Sequence, residues 1–348
     1  MIKIENRQIG GGAQSFVIAE VGVNHNGDLD VAKNMVDAIA AAGADCVKFQ
    51  TFDAEEFNNS ANETYTYISQ GKSVTESMLA MFKRLELEKE DFARLYDHAR
   101  GLGLIPLSTP TDRVAVDLLD DLGTGAFKIG SDDIVYTPFL DYVARKGKPV
   151  IISTGMATID DIDRAVATIR DSGNDQIIIL HCVSLYPTPD ESVNLRRMQQ
   201  IMGRYGYPVG FSDHSSGVTA AAGAVAMGAC IVEKHFTLDK NMPGPDHHFS
   251  MNPAELAQMT STIRQLERCL GSGNLDPTEE ELNMRDISRR SIVVVRDLPQ
   301  GHTIDTSDLA YRRPGTGLLP FETPKLVGRR LKRALPARTL ISMDDLAT

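Results

Sequence analysis

Lys48 and Lys128 each sit inside a short apolar run, CVKFQ (46–50) and AFKIG (126–130), where a lysine is least welcome. Side chains alternate along such a run, so Lys48 and Gln50 share a face. A lysine turned into a packed interior needs an anionic partner. Two of them suit an anion with more than one charge, such as a phosphate carried with a carboxylate. The other possibility is that Lys48 points outward and lays its stem against a helix. Hydroxyls recur at matching places: Thr109, Ser131, Ser153 and Ser212 each end or follow an apolar run. Each can donate to a phosphate oxygen. One alone could equally cap a helix, but four beside two lysines point to a phosphate site. Glu20 ends the first run, SFVIAE.

His214 and His235 carry a metal argument. They lie 21 residues apart, each at the end of an apolar run. Two imidazoles leave coordination positions open, as catalytic sites do, and suit Zn, Mn, Fe or Co alike. Alternatively, either is a hydrogen-bonded core histidine. Asp246, in NMPGPDHHFS, is a candidate acceptor for a sugar hydroxyl or a general base. His25, His181, His247 and His248 have no assigned part.

These residues need elements to position them. Eight runs qualify as strands: 15–20, 45–50, 104–109, 126–130, 149–154, 176–182, 208–213 and 230–236. All are rich in Val, Ile or Phe, as strands buried on both faces are. Helical spacing fills the gaps, as in DLDVAKNMVDAIAAAGA. Eight βα units in about 240 residues predict an α/β fold, a (β/α)8 TIM barrel. No G-x-G-x-x-G follows a strand, so a dinucleotide-binding sheet loses its signature. In a barrel, polar residues at strand ends gather at the C-terminal mouth, where chemistry is done.

The connection 51–103 is too long for a simple loop. Its part 75–102 reads as one or two helices, and 51–75 as a polar lid or oligomer contact. The barrel domain is assigned to 1–272. A polar linker, 273–284, leads to a small β-rich domain at 285–348. That domain holds a weak repeat, RDLPQGHTIDTSDL (296–309) and RALPARTLISMDDL (333–346).

Lys+Arg number 36 against 47 Asp+Glu, a net charge of −11. No basic footprint for nucleic acid is expected. Neither a membrane span nor a signal peptide is expected. Four cysteines without a C-x-x-C pair read as free thiols of a cytoplasmic protein.

With these residues laid out, the chain resembles the sialic acid synthase family. The matching stretches are IAEVGVNHNGDLDVA (18–32), CVKFQT (46–51), STPTD (108–112), FKIGSDD (127–133), STGMAT (153–158), LHCVSLYPTP (180–189), GFSDHSSG (210–217), IVEKHFTLDKNMPGPDHHFSMNP (231–253) and RRPGTG (312–317). The tail resembles that family's antifreeze-like (SAF, β-clip) domain. The resemblance implies condensation of phosphoenolpyruvate with an N-acyl sugar aldehyde, releasing phosphate. Lys48, Thr109, Lys128, Ser131, Ser153, Ser184 and Ser212 would then meet phosphoenolpyruvate. Gln50, Asp133, Tyr186 and Asp246 would orient the sugar, and Glu20 would move protons. His214 and His235 would hold a divalent ion: Mn²⁺, with Mg²⁺ or Co²⁺ as alternatives. Arg313 would reach the site of the partner subunit in a domain-swapped homodimer.

Three departures from the family pattern stand near the sugar end. Ser131-Asp132-Asp133 replaces Ser-Gly-Glu, Ser184 replaces an Asn, and Ser288-Arg289-Arg290-Ser291 carries two basic residues where some members have an aromatic. The resemblance therefore implies N-acetylmannosamine giving N-acetylneuraminate, with a diacetamido sugar giving legionaminate or pseudaminate as the rival. A sugar 6-phosphate giving the 9-phosphate is a third choice. A metal-dependent or Schiff-base aldolase is the reading from another class. Ice binding is disfavoured because the tail is Arg-rich rather than a flat Thr array.

Overall fold

A computed structural model describes residues 2–57 and 62–347. The chain divides into two compact units, Met1–Gly271 and Ser272–Thr348.

The first unit is built on eight parallel strands: β1 Phe16–Gly22, β2 Cys46–Thr51, β3 Ile105–Pro110, β4 Phe127–Ile129, β5 Val150–Ser153, β6 Ile177–Cys182, β7 Val209–Asp213 and β8 Ile231–His235. They hydrogen-bond in the order β3-β2-β1-β8-β7-β6-β5-β4. β3 and β4 pack side by side and bring the ring near closure. The eight runs expected as strands are these eight strands, and a helix follows each one. The helix Leu29–Ala41 shows why: Asp28 caps its first turn, accepting from the Asp30 and Val31 N–H groups, and Ala32, Met35, Val36 and Ile39 form its buried stripe.

The pleat sorts residues between two cores. Alternate strand residues, among them Ile18, Leu107, Ile151, Ile178 and Ile231, fill the lumen with Ile2, Ile4 and Ile9 of an N-terminal hairpin. The residues between them, such as Val17, Val47, Ile152 and Val232, pack under the helices. Each fully buried aliphatic side chain contributes about 1.5–3 kcal/mol, so the parity of each strand is strongly fixed. That parity turns Lys48 into the lumen, not toward a helix.

Within the long connection after β2, Met78–Leu85 and Lys89–Gly101 are helical. The polar stretch before them is not a simple loop. It is a β-hairpin, Thr64–Ser69 against Lys72–Ser77. Gln70 and Gly71 turn it at φ 52° and 73°, the left-handed pair that a two-residue hairpin turn requires. Gln70 donates to the Asn241 carbonyl at 3.0 Å, and the Gly244 N–H donates to Ser69 Oγ at 3.1 Å. Part of the 51–75 lid stretch, residues 58–61, lies outside the described residues.

In the second unit the expected polar linker, 273–284, is exposed and becomes helical at its end. Thr278 forms a capping box with Glu281, and Glu279–Ser288 is a helix. Beyond it, Ser291–Val294 pairs antiparallel with Leu309–Arg312. The sequence repeat appears as a repeated ion pair: Arg296 to buried Asp308 and Arg333 to buried Asp345, both at 2.6 Å. Each Asp also accepts a backbone N–H at 2.9 Å, from Asp305 and Ser342 respectively.

Candidate active site

The uppermost lumen positions are polar. Glu20 on β1 is the register partner of Lys48 on β2 and of His235 on β8. Gln50 pairs with Thr109, and Ser212 pairs with Cys182 and Glu233. A cavity of about 450 Å³ opens over them. A larger cleft, about 760 Å³, runs past Asp53, Glu86 and Arg113 and holds none of the expected residues.

At the cavity floor, Lys48 Nζ is 2.5 Å from Glu20 Oε2, 3.7 Å from Glu233 Oε2 and 3.0 Å from Thr109 Oγ1. Lys128 Nζ is 3.6 Å from Glu233 Oε1 and donates to the Ile129 carbonyl. Ser212 Oγ donates to Glu233 Oε1 at 2.9 Å, and Gln50 Nε2 to Glu20 Oε1 at 3.4 Å. Both lysines and both glutamates are buried. Burial pushes the Glu20 carboxyl up, with Lys48 opposing and Glu233 reinforcing. Burial works against the charge of Glu233 too, but Lys128 and Lys48 outweigh it and hold that carboxyl low. Burial lowers Lys128. The result is an alternating cluster of two ammoniums and two carboxyls, one of which readily keeps a proton.

The hydroxyls stand on one side of this cluster. Ser131 Oγ accepts from the Gly155 N–H at 2.9 Å, and Ser153 Oγ is buried without a hydrogen-bond partner. Ser184 completes the group. A Cβ on Gly155 would stand 2.2 Å from Ser184 Oγ and 2.8 Å from Ser131 Oγ. Only glycine lets the STGM backbone approach these hydroxyls, and the outcome is a cradle of hydroxyls that faces the same cavity as Lys128.

On the other side, the His214 and His235 rings lie 5.4 Å apart. His214 Nδ1 is 2.9 Å from the Val183 carbonyl. Donation there leaves Nε2 as the lone-pair atom. His235 Nδ1 is buried without a hydrogen-bond partner, 3.9 Å from Asp246 Oδ2. Burial, then His214, holds His235 far below the usual imidazole range, whereas for His214 burial is outweighed by Cys182 and the Val183 carbonyl, which raise it. Among the described residues no three His, Cys, Asp or Glu side chains converge as a cage. Two imidazoles with open positions fit a substrate-binding metal and not a closed structural one.

Tyr186 packs against His214, with ring centroids 4.2 Å apart and the planes tilted by 43°. Asp133, in the turn Asp133–Val135, is raised to about 7 by burial and by Asp132. Asp246 lines an adjoining cavity and is raised to about 6 by burial. Arg313 belongs to the second unit, where its Nε donates to the Ser288 carbonyl at 2.9 Å. Sequence reasoning missed Glu233, the carboxylate between the two lysines. The signal was present: in IVEKHF it shares a face with His235. Cys182, whose Sγ is 3.9 Å from His214 Nδ1, was missed as well.

A barrel whose mouth carries buried lysines, a donor cradle and paired imidazoles defines an enzyme that handles a small anionic substrate. The NeuB family model matches residues 35–275 and the SAF domain model residues 289–347, and the chain belongs to the NeuB family of synthases. It is 43% identical to the N,N'-diacetyllegionaminic acid synthase of Legionella pneumophila, over 95% of this chain and 94% of that one. The synthase of the same name from Campylobacter jejuni is 38% identical over 91% and 95%. Among solved structures, the N-acetylneuraminic acid synthetase of Leptospira borgpetersenii in complex with citrate matches with a TM-score of 0.74 at 34% identity, covering 81% of this chain and 94% of that one. Among the described residues no helix is long and apolar enough to cross a membrane.

Proposed function

We propose that this enzyme condenses phosphoenolpyruvate with an N-acyl sugar aldehyde, giving a nine-carbon 2-keto acid and phosphate. One observation carries the reading: Lys48 and Lys128 face a common cavity beside the Ser131–Gly155–Ser184 cradle. Two ammoniums and a set of O–H donors match a carboxylate held together with a phosphate. C3 of phosphoenolpyruvate attacks the aldehyde carbon, water adds at C2, and the C2–O bond to phosphate breaks. Glu20, raised by burial and fixed by Lys48 and Gln50, takes the proton of that water and returns one. His214 and His235 would hold a divalent ion, Mn²⁺ first and Mg²⁺ or Co²⁺ as alternatives, which would supply Lewis-acid polarisation of the aldehyde oxygen. Gln50, Asp133, Tyr186 and Asp246 orient the sugar.

The sugar is N-acetylmannosamine in the simplest form of this reading, supported by the synthetase of similar fold. A diacetamido sugar is favoured by the two legionaminic acid synthases. We further propose a cytoplasmic homodimer in which Arg313 serves the partner's site. Purified protein, Mn²⁺, phosphoenolpyruvate and each sugar are mixed and phosphate is measured. Phosphate and a keto acid are expected with one of them; release with none overturns the proposal.

A further inference from the structure

The residues beside the two imidazoles turn away from the cavity. Asp213 ends β7 one residue before His214, and Lys234 precedes His235 on β8. Side chains alternate along a strand, so with Ser212 and Glu233 lining the cavity, Asp213 and Lys234 lie on the outer face. The two are register partners. Lys234 Nζ donates to Asp213 Oδ2 at 2.7 Å and to the Ser215 carbonyl at 2.6 Å. Asp213 Oδ1 accepts from the Ser215 N–H at 2.8 Å and from Ser215 Oγ at 2.6 Å. From the position next to His235, Lys234 therefore grips the residues on both sides of His214. The Lys234 and Asp213 side chains are 3% and 0% exposed.

Stability does not account for this pair. Its neighbours on the same outer face, Phe211 on β7 and Val232 on β8, are buried and apolar. Two apolar side chains of similar volume would serve the fold as well or better, because desolvating two charges costs about what their attraction returns. An ion pair differs from an apolar contact in being directional. The other ties on the two histidine backbones run to separate loops: the His214 carbonyl accepts from the Thr188 N–H at 2.9 Å, and the His235 carbonyl from the Met251 N–H at 2.8 Å. The Asp213–Lys234 pair is what joins one histidine-bearing strand end to the other through side chains.

We infer that Asp213 and Lys234 are positioning residues that act from behind the sheet. They hold the His214 and His235 rings at the spacing through which both can reach one divalent ion. The inference rests on the metal reading proposed above and deepens it.

The test reads Mn²⁺ affinity on the metal-stripped full chain, by electron paramagnetic resonance of the free ion, with no substrate present. Asp213→Asn combined with Lys234→Met leaves no buried charge unpaired and keeps an acceptor for the Ser215 N–H. This double variant should unfold in urea close to the wild-type midpoint, yet bind Mn²⁺ about 10- to 100-fold more weakly. Unchanged affinity in the folded variant overturns the inference. Asp213→Leu with Lys234→Met makes the same test if the first pair of changes fails to fold. Arg264→Met is the control, since it breaks a 2.6 Å pair with Asp45 at the opposite end of the strands. It should lower the urea midpoint and leave Mn²⁺ affinity as it is. An equal loss of affinity there would make the effect one of general destabilisation and overturn the inference. If the wild-type chain binds no divalent ion, the metal reading falls by itself, and the imidazole nitrogen NMR signals of His214 and His235 decide. Signals that move in the double variant support the positioning role, and unmoved signals overturn it.

Discussion

Glu20 and Lys48 are register partners on neighbouring strands, and their Oε2 and Nζ atoms meet at 2.5 Å with both side chains buried. Such a contact is stabilising only while it is complete. Replacing Lys48 by Met leaves Glu20 and Glu233 with Lys128 as the one lumen lysine among the described residues. Lys48→Met should therefore cost about 3–5 kcal/mol in urea unfolding and abolish phosphate release. Adding Glu20→Gln removes the stranded carboxylate, so the double variant should regain part of that loss. A double variant as unstable as the sum of the two single ones would mean the groups are not coupled.

The same burial gives Glu20 a pH signature. Its carboxyl is raised from 4.5 to about 7 in the folded chain. The folded state then holds the extra proton between these values, so the contribution to stability is complete below 4.5 and is lost as pH rises through 7. Glu20→Gln, neutral throughout, should flatten the stability profile over that window. It should also remove the limb near pH 7 from log kcat/KM. A limb that survives the substitution would assign that titration to another group, with Asp133 next in line because its carboxyl is also raised to about 7.

Gly155 tests the donor cradle. In Gly155→Ala the new methyl must push aside Ser184 Oγ and Ser131 Oγ. Overpacking of this kind costs about 1–3 kcal/mol. The expected kinetic result is a KM for phosphoenolpyruvate raised about tenfold or more, with a smaller change in the KM for the sugar. Initial rates with each substrate varied in turn distinguish this from a general loss of fold.

Arg313 tests the proposed dimer. His214→Ala and Arg313→Ala homodimers should both be nearly inactive. When the two chains are co-expressed, a mixed dimer with exchanged domains has one intact site, so activity should return to about a quarter of wild type. If Arg313 serves its own chain, every mixed site carries one defect and no activity returns.

Much of this was legible in the sequence because strands buried on both faces leave a continuous apolar signal, and period-two alternation assigns each residue a side. All eight barrel strands, the inward face of Lys48 and the gathering of hydroxyls and imidazoles at one rim follow from those two rules. The hairpin Thr64–Ser69/Lys72–Ser77 did not announce itself. TYTYIS is largely exposed, with only Tyr67 and Ser69 buried, and its register depends on a turn at Gln70–Gly71. The helix Glu279–Ser288 hid for a related reason: it buries no residue, so only its capping box marks it.

Local alternation puts Lys48 with Gln50 and Glu233 with His235 on one face of their strands, and the packing of the alternate residues made that face the lumen. Which of them touch was decided by the tertiary structure, because strand register and barrel closure set the distances between residues far apart in the chain. Glu233 lies between Lys48 and Lys128 only because β1 alone separates β8 from β2 while β4 stands across the lumen. The adjoining cavity lined by Asp246 and Phe249 likewise forms where the inserted hairpin meets the loop after β8. No spacing in the sequence encodes that meeting, since it depends on two segments about 175 residues apart folding onto one rim.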